Sequence, residues 1–274
     1  FLRGLVAAGA DPLEKNEYLA EGGADQRTTN TWDGSSGTDW YTGANWSLGH
    51  VPATTEDVVI PQVTNNNFPV LAGLATINSL TINSGTRTTL AVTTGTLTVQ
   101  NYFNCYGNLT MTSSSGSITV KGNLTFGSGA TTTFTANATV NVWADLNFQS
   151  GSAVGMNNGT INLAGGITYS YVSVNQSGAT VHNLSVNKVS PYAAIISPSS
   201  TYPLTINGAL TVNSAFAHDY AGTTILKGDL NVGSGASFGL NAGTISLEGS
   251  YNALINTPNT GHYFNHLTIN KASG

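Results

Sequence analysis

The chain has 274 residues, including 38 Thr, 32 Gly, 30 Asn and 26 Ser, and only 8% of it is charged, against roughly 25% in an ordinary globular domain. Eight Lys and Arg against thirteen Asp and Glu give a net charge of -5, which offers nucleic acid no basic stripe and is too sparse for a charge-driven disordered tail. No apolar run reaches the roughly 18 residues of a membrane span, and a lone cysteine, Cys105, rules out an intrachain disulfide and a cysteine cluster for zinc.

Residues 1–30 are expected to be a leader. The first residue is Phe1 rather than Met, as expected of a processed or partial product that has lost a secretory signal. In DPLEKNEYLAEGG, Asp11 can cap a short helix, Pro12 suits its first position, Glu14 completes the capping box, and Gly22 and Gly23 can stop it. The apolar start, with Phe1, Leu2, Leu5 and Val6, is a candidate assembly segment.

Residues 31–73 are predicted to cap the body that follows. Nine of the thirteen carboxylates lie in residues 1–57, so charge falls away sharply near Val58. Trp32, Trp40 and Trp46 can cover an end that would otherwise expose unpaired backbone and apolar side chains; the same rings could stack on sugars. Asp33, Asp39, Glu56 and Asp57 could hold calcium with carbonyl help, but they lack the spacing of a calcium loop and are read as turn acids.

From residue 74 to 274 the pattern is short runs with period two, such as SLTIN, TLTVQ, SITVK, DLNFQ, NLSVN and HLTIN, each bounded by Gly, Asn or Ser. These are half-buried strands. Residues 144–166 align without gaps to 228–250, with 12 of 23 positions identical at an offset of 84, which marks a duplicated unit. Division of 84 into about four coils of roughly 21 residues predicts an all-β fold, a parallel β-solenoid (β-helix) of nine or ten rungs and roughly 45 Å. Its inward ladders should include Leu124, Phe126, Leu146, Phe148, Ile161, Leu163, Leu184, Val186, Leu210, Val212, Leu230, Val232, Ile245, Leu247, Leu267 and Ile269. An antiparallel sandwich is the competing architecture; sandwiches rarely keep such an ungapped internal register.

Chemistry-bearing residues are few. Asp145 and Asp229 share a repeat position, which puts them about four rungs, roughly 19 Å, apart, too far to act as a glycosidase pair. His218 beside Asp219, in a loop-like AFAHDYAG, is the most suggestive acid/base couple, yet no nucleophile is spaced around it. His182 and His266 fall in matching stretches one step out of register, and His50 and His262 have no evident metal partners. Cys105 is read as a small buried residue. Seven N-x-S/T triplets, at Asn45, Asn108, Asn123, Asn137, Asn158, Asn175 and Asn183, are read as by-products of the strand pattern.

The stretch TWDGSSGTDWYTGANWSLGHVPATTEDVVIP, with HNLSVNK and NHLTINK, resembles exported bacterial β-solenoid surface proteins, including adhesin and fibre proteins of Bacteroidota and autotransporter-like passengers. The resemblance implies a location outside the cell or on its outer surface, and a structural role. The expected function is a secreted or cell-surface rod in a fibre, sheath or adhesive stalk, without catalysis or cofactor. Its partners are expected to be other copies in head-to-tail assembly or surface glycans, not nucleic acid or membrane lipid. A carbohydrate-binding adhesin module and a polysaccharide-active enzyme are the alternatives.

Overall fold

The structure is a computed structural model that describes residues 27–135, 137–250, 252–258 and 262–272. The expected helical leader falls almost wholly on residues 1–26, outside the described residues, as do Phe1, Leu2, Leu5 and Val6.

The described chain is a parallel β-solenoid of about ten turns with three faces. Its only helical element is a single 3-10 turn at Gly43–Asn45. One coil illustrates the winding: Thr96–Val99 runs on a nine-stranded sheet, Phe103–Cys105 on a ten-stranded sheet and Asn108–Met111 on the third face, before Ser117–Val120 returns to the nine-stranded sheet above Thr96–Val99. The third face consists of a four-stranded and a five-stranded sheet, linked by single bridges from Thr131 to Ala153 and from Gly155 to Thr180. All paired strands are parallel and in register, so ten strands at about 4.8 Å give a rod of roughly 45 Å.

Alternation explains why such short strands hold together. In TLTV, SITV, TVNV and TINL every second residue is buried and the intervening Thr, Ser or Asn faces outward. No run could bury its apolar pair alone, since each contributes only two inward side chains, at about 1.5–3 kcal/mol apiece when fully buried. Register stacking supplies the missing partners. Ile82, Cys105, Phe126, Phe148 and Val174 form one continuous inward ladder, in which the Phe126 and Phe148 rings stack at 5.7 Å.

Two expectations are corrected. The 84-residue repeat is not four coils. Along the ten-stranded sheet from Phe103 to Leu240 the coils vary from 21 to 26 residues, as the successive partners Phe103, Leu124, Leu146, Val172, Ile196, His218 and Leu240 show. Four coils from Leu146 end at Leu240, whereas its repeat equivalent, Leu230, lies on the nine-stranded sheet. The duplicated unit is therefore one face short of four coils. It counts strand-and-turn units, and a unit of apolar, polar, apolar and turn residues fits any of the three faces. Second, Leu267 and Ile269 are 37% and 67% exposed, unlike the other inward residues expected, because His266–Lys271 pairs only with Thr244–Gly249 and no described coil covers its inward side.

Parallel stacking also begins before residue 74. Thr29–Thr31 and Asp57–Ile60 are the first two strands of the ten-stranded sheet, and Val70–Leu71 starts the third face, so residues 31–73 are continuous with the body rather than set on top of it.

Leu146 and Leu230 are both fully buried, but their settings differ. Leu146 lies between Leu124 and Val172 in complete coils, whereas Leu230 lies between Leu210 and the half-buried Ile255. Leu146→Asp should destabilise the whole rod by about 3–5 kcal/mol, the cost of an uncompensated buried charge, with one cooperative transition at lower denaturant. Leu230→Asp should instead release the last coils, seen as fast amide exchange beyond residue 226 while the earlier coils stay protected. Equal global losses in the two variants would contradict these settings.

Candidate functional site

The N-terminal segment is organised by its tryptophans. Trp32 and Trp46 pair across an antiparallel bridge and meet edge to face at 4.9 Å, and Trp40 meets Trp46 in the same way at 4.8 Å. Trp46 Nε1 donates to the Trp40 carbonyl and Trp32 Nε1 to the Asn67 carbonyl. All three rings are at most 2% exposed, so none presents a free face to a sugar. The acids around them are engaged locally: Asp33 accepts from Ser35 N–H, Asp39 from Tyr41 N–H and the Thr42 hydroxyl, and Asp57 from the Asn78 amide. Glu56 accepts from Asn30 and from Ala53 N–H and sits 3.4 Å from His50 Nε2. These acids do not converge, and among the described residues no three His, Cys, Asp or Glu side chains come together in a metal-sized group.

Asp145 and Asp229 occupy different corners, not one face four rungs apart, yet they make the same bond. Each carboxylate accepts the backbone N–H stacked on it in the next coil, from Tyr171 and Leu254 respectively. Asn123 accepts from Asp145 N–H and Asn183 from Ala209 N–H in the same fashion. An Asx immediately before a strand, or opening it as Asn183 does, thus satisfies a main-chain donor at a corner, where the ladder begins. Two of the N-x-S/T triplets, at Asn123 and Asn183, are these ties.

His218 and Asp219 are separated by the pleat. His218 is not in a loop; it ends the strand Ala215–His218, fully buried in the apolar ladder between Ile196 and Leu240. Its Nδ1 meets the Ala242 carbonyl and its Nε2 the Thr224 hydroxyl, each at 3.0 Å. Asp219 faces outward and accepts from Asn241. Burial holds the His218 imidazole below its ordinary pKa. His182 and His266 lie on different stretches of backbone, the first between Thr180–Val181 and Asn183–Val186, the second opening the strand His266–Lys271. Cys105 is fully buried, and desolvation pushes its thiol up to about 12.

Sequence reasoning missed the lysines of the NK pairs. Lys188 is 4% exposed, and its Nζ donates to the carbonyls of Trp143 at 2.6 Å and Ala164 at 2.8 Å, one in each of the two preceding coils. Lys271 repeats this on Lys227 and Glu248. Desolvation pulls the Lys188 ammonium down to about 8, opposed by Asp145. The recurrence of NK at the end of HNLSVNK and NHLTINK was the available signal. On the outer surface of the nine-stranded sheet and the corner that follows it, amides bond from coil to coil, Asn162 to Asn141, Asn187 to Asn162 and Asn213 to Asn187.

Lys188 also anchors an irregular corner. From the nine-stranded to the ten-stranded sheet, most coils turn in two to four residues, as at 100–102, 121–123, 143–145, 213–214 and 233–236, but two consecutive coils use six, at 164–169 and 187–192. These long corners project as a ledge, and the tight corners that follow leave a cleft of about 380 Å³ beneath it. Ser190, Pro191 and Tyr192 line the ledge side; Asn213, Ser214 and Ser237 line the other.

A family model matches residues 31–233; the family is described as a domain of unknown function, DUF8693. The chain belongs to this family. Its match spans the solenoid from the tryptophan segment to the strand Leu230–Val232 and includes the ledge and most of the cleft lining, with Gly235 and Ser237 beyond it. Neither a curated protein nor a solved structure matches the chain.

A buried neutral histidine makes stability depend on pH. The unfolded chain takes up a proton as pH falls below the ordinary value of 6.5, whereas folded His218, with its pKa lowered, resists it, so acid favours unfolding and stability rises with pH across this window. His218→Leu should cost about 1 kcal/mol near pH 8 by orphaning the Thr224 hydroxyl, yet lose less stability than the parent between about pH 6.5 and pH 5. Parallel pH profiles in urea unfolding would show that His218 does not titrate with folding.

Proposed function

We propose that this chain is a structural β-solenoid of the cell exterior, a segment of a fibre, sheath or adhesive stalk that extends head to tail. The observation that carries the reading is the unbroken in-register stacking of parallel strands along the described rod. At one end, residues 31–73 bury three tryptophans, and this first part of the solenoid is proposed to close the rod. At the other, Leu267 and Ile269, on the last strand of the five-stranded sheet, are 37% and 67% exposed, and Leu254, just before the strand Ile255–Asn256, is 60% exposed; either further coils of the same protein or a neighbouring copy would cover them. An uncovered coil of this kind is a template for another coil, and a heterologous contact that does not close builds a filament.

The neutral surface suits this role. Outward Thr, Ser and Asn bond to their counterparts in adjacent coils, which stiffens the rod without charge repulsion between neighbouring rods. The Bacteroidota-type resemblance agrees with such a use outside the cell. Catalysis is not part of the proposal: Asp145, Asp229 and Asp219 accept hydrogen bonds within the fold, and His218 is enclosed.

The leader is proposed to take part in the contact between copies. Ile269→Lys together with Leu267→Lys, on exposed positions, should leave the rod folded but yield shorter particles by light scattering and electron microscopy, and deletion of residues 1–27 should do the same. Filaments of undiminished length in the double variant would remove the open coil from the mechanism. A well-behaved monomer from the unaltered chain would remove head-to-tail assembly.

A further inference from the structure

The cleft under the ledge is a built feature. Its two six-residue corners are held by Lys188, whose ammonium binds the Trp143 and Ala164 carbonyls, by Lys188 N–H donating to the Ser214 hydroxyl, and by Val189 N–H donating to the Gly165 carbonyl. The two corners end in Tyr169 and Tyr192, whose rings meet edge to face at 5.7 Å, so the Tyr192 ring is propped at the cleft rim. A wall fixed in this way costs a ligand little ordering entropy.

The lining chemistry narrows the ligand. Ser190, Ser237 and the Tyr192 phenol make no side-chain hydrogen bond to another described residue, and Asn213 uses its amide N–H on Asn187 while its carbonyl oxygen stays open. Hydroxyls that both donate and accept, an amide oxygen and an aromatic ring match a polyhydroxylated ring with an apolar C–H face. The one cation in the lining, Lys188, is spent on backbone carbonyls, and no carboxylate lines the cleft, so neither an anionic sugar nor a bridged metal ion is favoured. A peptide strand has no edge to join, because the strands Ala193–Ile196 and Ala215–His218 beside the cleft are paired on both sides.

We propose that the cleft between the 187–192 corner and the Asn213–Ser214 corner binds one or two residues of a neutral glycan, with the sugar ring against Tyr192 and its hydroxyls on Ser190, Asn213 and Ser237. The site is independent of the buried tryptophans and of head-to-tail assembly. It makes each rod a carrier of one lateral glycan contact, so a filament of such rods would display these contacts at the period of the subunit.

The test is calorimetric titration of the full chain with tetraoses of glucose, mannose, galactose and N-acetylglucosamine, at low and high salt. At least one should bind with an affinity insensitive to salt. Tyr192→Ala should weaken it about tenfold or more, Tyr192→Phe much less, and Ser237→Trp, which plugs the cleft from an exposed position, should abolish it, with melting temperatures of Tyr192→Phe and Ser237→Trp unchanged. Absence of binding by all four tetraoses, binding unaltered in Ser237→Trp, or binding only to a charged oligosaccharide that high salt removes would each overturn the proposal.

Discussion

Everything in this molecule depends on register between coils. A strand of three or four residues with two inward side chains has no stability of its own; it becomes a strand because the same positions lie one coil above and below it, about 4.8 Å away. Hydrophobic burial, backbone ladders and side-chain ties all act along that one axis. Stability is therefore close to a sum over neighbouring coils, and a lesion matters according to how many complete coils surround it. The corner ties serve the same constraint. Asp145, Asp229, Asn123 and Asn183 satisfy main-chain donors at the start of strands, and Lys188 and Lys271 satisfy carbonyls of two coils at once. With most polar groups spent on neighbours, the rod needs almost no charge to hold its shape.

Much of this architecture was legible because period-two alternation bounded by Gly, Asn and Ser admits few folds, and an ungapped repeat made stacking the natural solution. The buried ladders at Leu124, Phe126, Leu146 and Phe148 follow directly from the pattern. The coil length did not. Identical local signals in ADLNF and GDLNV describe a strand and its turn, and carry no label for the face on which that strand lies, so an offset of 84 could be read as four coils when it is one face less.

The candidate site was much less legible. AFAHDYAG looks like a loop because His, Asp and Tyr are polar, but alternation places His218 inward on the Phe216 side of the strand, where two neutral hydrogen bonds make it tolerable. The tryptophans read as a cap, with a sugar platform as the alternative, and their burial leaves no ring face free for a sugar. The cleft was invisible because it arises from a difference in corner length between successive coils, and nothing in NKVSPY alone says that the corners that follow it are short.

The most direct test of the account is a comparison of two cysteine pairs under mild oxidation. Asn147 faces Ser173 across adjacent parallel strands, 26 residues away, at about 4.8 Å between backbones, within disulfide reach; a uniform coil of about 21 residues would instead bring Asn147 against Thr168. Asn147→Cys with Ser173→Cys should form an intramolecular disulfide readily, with the buried Cys105 taking no part, while Asn147→Cys with Thr168→Cys should stay reduced. A disulfide in the second pair and none in the first would contradict the register on which the whole account stands.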